Sequence, residues 1–218
     1  MATGPGIEIS IREKRFANSA GALFSNFTLS IAAGSVTSLV GPSGVGKSTL
    51  LRIIAGIDTS LDGEVKVGGI DAADAPSPGF VFQDARLLPW LTALDNVRAV
   101  APSLSQTDAL DLLGRVGLRN SAKALPHELS GGMQRRVALA RAVAVNSGLL
   151  LLDEPFVSLE RSLVSELQNL FLDLIEAERL TVVLVTHIAE DAMRLCDRVV
   201  TLAGRPAFIV SDVTPTAG

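Results

Sequence analysis

The 218-residue chain is poor in cysteine, histidine and aromatic residues and has no long apolar run. With one cysteine, Cys196, it cannot form an internal disulfide, which fits a reducing compartment. That thiol has no evident partner and reads as a small core residue. No stretch approaches the roughly 20 apolar residues that a helix needs to cross a bilayer. The four leucines at 149–152 are far too few and read as a buried strand. An excess of positive charge is also missing. The 19 Lys and Arg against 23 Asp and Glu leave a net charge of −4, which argues against a nucleic-acid partner because phosphate contacts need clustered cations. The start, MATGPG, carries neither a basic nor an apolar segment, so a short disordered lead is expected there and not a signal peptide. Internal repeats and low-complexity segments are absent. What the chain does have is apolar content: 48% hydrophobic residues and a mean hydropathy of +0.39, ample for the core of one domain. Abundant Ala and Val account for that hydropathy, and so does apolar surface buried against partners.

Residues 41–49, GPSGVGKST, fit the pattern G-x-x-x-x-G-K-[ST], with an apolar strand signal at 36–40 before it and a helix signal at 48–54 after it. Gly41, Gly44 and Gly46 let the backbone curl around Pro42, Ser43 and Val45, so that successive N–H groups point at phosphate oxygens. The following helix adds the positive end of its dipole. Lys47 reaches the β- and γ-phosphates, the Ser48 hydroxyl suits Mg²⁺, and Thr49 completes the ATP-binding set. Such a loop names a ligand, ATP with Mg²⁺ or a similar nucleotide, and not a function.

Around this loop the periodicity changes along the chain. Residues 7–11, 27–31 and 64–67 alternate with period two, as half-buried strands do. From residue 36 onward, strand signals at 36–40, 80–82, 149–152 and 181–186 are continuous apolar runs followed by helices, the pattern of a parallel sheet covered on both faces. Between 88 and 146 no strand is evident, and 92–99, 106–116 and 131–145 read as helices. A long amphipathic helix is expected over 158–178, and closing strands at 198–202 and 207–210.

Three further segments follow in order: LSGGM at 129–133 opening a helix, LLLLDEP at 149–155, and TVVLVTH at 181–187. With the phosphate loop, this ordered set resembles the ATP-binding subunits of ABC transporters, from about residue 7 to residue 210. The resemblance implies an α/β P-loop NTPase. Its RecA-like core, with a mixed and largely parallel sheet, is joined by an antiparallel ABC β-subdomain and an inserted helical subdomain. The single domain 1–218 then divides into a core with its β-subdomain, 1–87 and 147–218, and a helical subdomain, 88–146, carrying the signature motif.

Hydrolysis of ATP needs a metal, positioned phosphates and an activated water. Asp153, at a strand end beside the phosphate loop, is placed to hold Mg²⁺ directly or through water, and Glu154 to polarise the attacking water as general base. The resemblance adds Gln83 as a glutamine meeting Mg²⁺ and the water, and His187 as a switch histidine contacting the γ-phosphate. It also suggests Phe16 as the aromatic that stacks on adenine. Read by itself, Phe16 is equally a core residue near a strand end, and His127, beside Pro126 and Glu128, has no role. Ser130, Gly131, Gly132 and Met133 form the signature, which in the family reaches ATP held by the other subunit of a head-to-tail pair. One segment departs from the family: where Ser-Ala-Leu-Asp is frequent after the acidic pair, residues 157–160 read VSLE. Glu160 keeps the carboxylate of this D-loop but adds a methylene, which puts communication between the two sites through this loop in question.

Residues 83–97, QDARLLPWLTALDNV, are similar to the nitrate/sulfonate/taurine class of bacterial importers, where Leu-Leu-Pro-Trp recurs after the glutamine. Trp90 reads either as an anchor of the hinge between lobes or as a part of the permease-facing groove. The implied protein is an ATPase, peripheral on the cytoplasmic face of the inner (cell) membrane. It would pair with a second copy of itself, drive transmembrane permease subunits and depend indirectly on a periplasmic or lipoprotein solute-binding protein. A non-transport ABC ATPase and an exporter subunit are the alternatives.

Overall fold

The computed structural model describes residues 3–17, 21–157 and 160–215. Strands β1 (Ile7–Lys14) and β2 (Phe24–Ile31) pair antiparallel, with Ile7 opposite Ile31 and Ile9 opposite Leu29. Their alternation buries Ile7, Ile9 and Ile11 on the same side as Phe27, Leu29 and Ile31. A third strand, β4 (Asp62–Val67), pairs with the other edge of β1, and the two-residue β5 (Ile70–Asp71) closes a sheet of order β2-β1-β4-β5. Sequence reading did not reach β5, whose two residues are both exposed and too few to show any period.

The larger sheet contains β3 (Val36–Val40), β6 (Gly79–Val81), β7 (Leu149–Asp153), β8 (Thr181–Thr186), β9 (Arg198–Ala203) and β10 (Phe208–Val213), in the order β10-β9-β3-β8-β7-β6. All neighbours are parallel except β10, which runs antiparallel along β9. The apolar runs are continuous because both faces are covered. Leu149, Leu151, Val183 and Val185 face a core shared with the small sheet and helix α1 (Lys47–Ile54). Leu150, Leu152, Val182 and Leu184 face a second core built with α4 (Gly131–Ala144) and α5 (Arg161–Glu178).

Residues 88–146 hold α2 (Ala93–Arg98), α3 (Gln106–Arg115) and α4, together with two short 3-10 turns, and among the described residues no strand. Thr92 and Ser105 cap α2 and α3 by accepting from the N–H groups of Asp95 and Asp108. The helix expected from 158 begins at Arg161, and Ser158 and Leu159 lie outside the described residues. Helix α6 (Ala189–Leu195) had not been expected, its seven residues being too few for a helical period to stand out.

The lead does not stay loose from residue 3 on. Gly4 is buried and its N–H donates to Arg179 O at 2.9 Å, while Gly6 O accepts from Gly68 at 2.8 Å. Cys196 is buried as expected, and desolvation pushes its thiol up to about 12. Among the described residues no helix is long and apolar enough to cross a membrane.

Candidate nucleotide site

The phosphate loop joins the end of β3 to the start of α1, so its backbone is aimed by the parallel sheet. Gly46 caps α1 at φ 115°, a left-handed backbone that also leaves its Cα against Phe24: a Cβ there would stand 2.8 Å from the ring. Since glycine offers no side-chain acceptor and the first turn holds no acidic residue, the leading N–H groups and the dipole of α1 stay available to an anion. Lys47 is buried and folds back over the loop, donating to Gly41 O at 2.8 Å and to Pro42 O at 3.1 Å. Burial lowers the pKa of its ammonium, while Glu154 and Asp153 oppose that shift. An ammonium whose hydrogen-bond acceptors among the described residues are loop carbonyls, and whose charge two carboxylates favour, is poised to donate to phosphate oxygens in their place.

Ser48 Oγ donates to Asp153 Oδ1 at 2.9 Å across 105 residues of sequence. A hydroxyl beside a carboxylate is a hard-oxygen pair of the kind Mg²⁺ takes, so these residues fit that ion. At the next position Glu154 turns to φ +52°, with its N–H donating to Val185 O at 2.9 Å. A left-handed glutamate costs roughly 1–2 kcal/mol, and the bond to β8 holds it there. Its carboxylate then lies 2.5 Å from His187 Nδ1. The contact is made through Nδ1, which leaves the Nε2 side of the ring for another partner. His187 follows β8 directly, and Thr186 Oγ1 fixes the turn by accepting from Ile188 at 3.0 Å.

The structure thus brings Lys47, Ser48, Asp153, Glu154 and His187 together at the carboxyl ends of β3, β7 and β8. Among the described residues, no hydrogen bond joins the Gln83 side chain, Phe16, Glu160 or the turn 130–133 to that group. Gln83 is exposed just beyond β6. Ser130 caps α4 by accepting from Met133 N–H at 3.3 Å, and Gly131 beside it is exposed. Glu160 is exposed at the N-cap of α5 with no capping bond from its side chain. Phe16 is no core residue: its ring is 45% exposed, with the Lys14 ammonium 5.0 Å from its centre. Trp90, read as a hinge anchor or as part of a permease-facing groove, is 71% exposed.

Sequence reading missed the residues that hold these loops. Asn96, fully buried on α2, accepts from Leu88 N–H at 2.8 Å and donates to the carbonyls of Leu88, Leu91 and Thr92. Arg135 and Arg141 of α4 donate to carbonyls of the loop after Gln83. Their only sequence signal is polar chemistry on amphipathic helices, which ordinarily marks a solvated face.

Residues 24–157 match the protein family described as ABC transporter. Over 218 residues the chain is 43% identical to an aliphatic sulfonates import ATP-binding protein of Burkholderia lata, covering 96% of this chain and 77% of the relative. A relative of the same description from Bacillus subtilis is 41% identical over 210 residues, covering 93% of this chain and 82% of its own. Among solved structures, a dimeric ATP-binding cassette in a post-hydrolysis state bound to ADP and Pi superposes with a TM-score of 0.81 at 30% identity, over 97% of this chain and 100% of that one. CbiO1 from Clostridium perfringens, part of the transporter complex cbiONQ, gives 0.84 over 96% of this chain and 88% of its own; at 24% identity that likeness speaks for the fold alone.

Proposed function

The chain belongs to the ABC transporter family and is an ATPase subunit of that kind, and from that premise we propose how its own residues work and what they drive. Two copies pair head to tail around ATP and Mg²⁺, on the cytoplasmic face of the membrane. They energise a permease that imports a small solute of the sulfonate type, delivered by a binding protein. The solute class rests on the sulfonate-import relatives and on the LLPW segment after Gln83. Residues 88–146 form the lobe that moves against the core of 1–87 and 147–218.

In this reading the N–H groups of 41–49 and the Lys47 ammonium bind the phosphates. Ser48 and Asp153 hold Mg²⁺, with Gln83 joining them when the lobe closes. Bound there, the ion neutralises charge on the phosphate oxygens. Glu154 takes a proton from the attacking water, and His187 orients that carboxylate through the 2.5 Å contact. Ser130, Gly131, Gly132 and Met133 meet the γ-phosphate held by the partner copy, Glu160 lies at the contact between copies, and Phe16 stacks on adenine with its exposed face. The observation that carries this reading is the Glu154–His187 pair standing beside Ser48–Asp153, a complete hydrolytic set on one chain whose signature turn is exposed and tied to none of it.

Glu154→Gln keeps size while removing the base. Hydrolysis is expected to fall by about 10²- to 10⁴-fold, and light scattering with saturating Mg-ATP is expected to show a dimer. A Glu154→Gln protein that binds ATP yet stays monomeric would count against the shared site.

A further inference from the structure

Helix α4 carries the signature turn at its start and, five residues later, an arginine that touches two other loops. Arg135 Nη2 donates to Gln83 O at 3.2 Å, and Nη1 reaches Val157 O at 3.5 Å. Val157 belongs to the segment between Glu154 and Glu160, and its N–H donates back to Glu154 O at 3.4 Å. One planar fork therefore spans the backbone of the glutamine loop and that of the loop after the acidic pair. Lower on the same helix, Arg141 donates to Ala85 O and Arg86 O, both at 2.8 Å. The glutamine loop is thus fastened to α4 through the carbonyls of Gln83, Ala85 and Arg86. It is stiffened further by Arg86, which sits at φ +45° with its guanidinium 4.0 Å from the Phe82 ring centre.

Arg135 is half-buried, and burial disfavours its charge, with the Asp84 carboxylate opposing that effect. Among the described residues its acceptors are two neutral carbonyls and no carboxylate. Desolvating a guanidinium for two carbonyls gains little stability, because neither acceptor returns the charge–charge attraction that a buried ion would need. What it gains is geometry, since the two loops are held at a fixed distance from the N-terminus of α4.

We propose that Arg135 is a positioning residue through which the signature turn sets the backbone of Gln83 and of Val157, so that a nucleotide engaged at Ser130–Gly132 by one copy readies the glutamine loop of that same copy. This rests on the reading of Gln83 and of the signature turn as nucleotide contacts. Lysine cannot replace the fork, because one ammonium cannot hold both carbonyls in a plane.

The test uses the full chain and Mg-ATP, with Arg135→Gln, Arg135→Lys, Gln83→Ala and the double variant Arg135→Gln/Gln83→Ala. Misplacing a reacting loop is costly, so Arg135→Gln is expected to lower kcat about tenfold or more. KM should stay within about twofold, since Lys47 and Ser48 are untouched. The Hill coefficient for ATP should fall toward that of independent sites, a change that simple loss of fold would not produce. Arg135→Lys should fall between wild type and Arg135→Gln, and it carries the same test if the glutamine variant loses Tm. In the Gln83→Ala background, Arg135→Gln should cost less than about twofold further, because the two act in series. Wild-type kcat and cooperativity in Arg135→Gln overturn the proposal and leave the role of Gln83 standing, as does a full independent loss in the double variant. Wild-type turnover in Gln83→Ala overturns the role of Gln83 itself and the proposal with it.

Discussion

Two carboxylates near the end of β8, half-buried Glu154 and buried Asp191, have opposite consequences. Glu154 has a partner in His187 and a strained backbone held by β8. Asp191, on α6, accepts from Gln168 Nε2 at 2.8 Å while its second oxygen is buried without a partner. Desolvation raises the Asp191 pKa. The Gln168 bond opposes that rise, Glu190 adds to it, and His187 and Arg194 also oppose it. The folded state therefore holds this proton more tightly than the unfolded chain does, and stability contributed by protonated Asp191 is lost as pH rises from the ordinary carboxylate range through the folded pKa. Asp191→Asn keeps the acceptor for Gln168 and removes the charge. Its Tm is expected to exceed that of wild type near neutral pH, with the gain shrinking toward acid. Thermal unfolding across that range checks it; a gain that grows toward acid would reverse the assignment.

At the scale of elements, the departure in the D-loop acquires a local meaning. Glu160 occupies the N-cap of the 18-residue α5 with extended backbone, φ −67° and ψ 144°, and makes no capping bond. Aspartate is among the best N-cap residues because its shorter side chain reaches the N2 or N3 amide, whereas glutamate overshoots. Glu160→Asp should stabilise the protein by about 0.5–1 kcal/mol, seen as a higher Tm, and its ATPase activity should rise if the longer side chain hinders contact with the second copy. A sharp fall in activity would show that Glu160 has its own partner there. The loop 88–92 depends on a different device. Asn96→Ala takes the acceptor from Leu88 N–H and the donor from Leu91 O, while Leu88 O and Thr92 O keep the N–H groups of Leu91 and Asn96, at a cost of about 1–3 kcal/mol. Faster exchange of the Leu88 amide and a lower Tm are expected, and an unchanged Tm would mean that water replaces the asparagine.

For the whole molecule, the exposed Trp90 is the informative feature. It stands at the tip of the loop that Asn96 braces, beyond the glutamine loop that Arg135 and Arg141 hold to α4. In the proposed reading, movement of 88–146 against the core would pass through this stretch. Because Trp90 is 71% exposed, Trp90→Ala should leave Tm nearly unchanged, within about 0.5 kcal/mol as surface substitutions do. It should also spare ATP binding, yet lower solute uptake per ATP hydrolysed in vesicles that contain the assembled transporter. An unchanged ratio, with assembly verified, removes Trp90 from the coupling route.

The sequence by itself determined the strands and helices whose period is long enough to read, and the phosphate loop, because glycines, lysine and serine at fixed spacing dictate a local backbone. The four-leucine strand was legible for the same reason: burial on both faces leaves no polar position. Only the tertiary structure decided the pairing of Ser48 with Asp153 and of Glu154 with His187, since contacts across 105 and 33 residues depend on parallel strand order and not on neighbours in the chain. Tertiary packing also decided that Phe16 and Trp90 face outward while Asn96 and Arg135 turn in. For amphipathic side chains such as these, the partners that the fold supplies fix burial, and no local pattern encodes those partners.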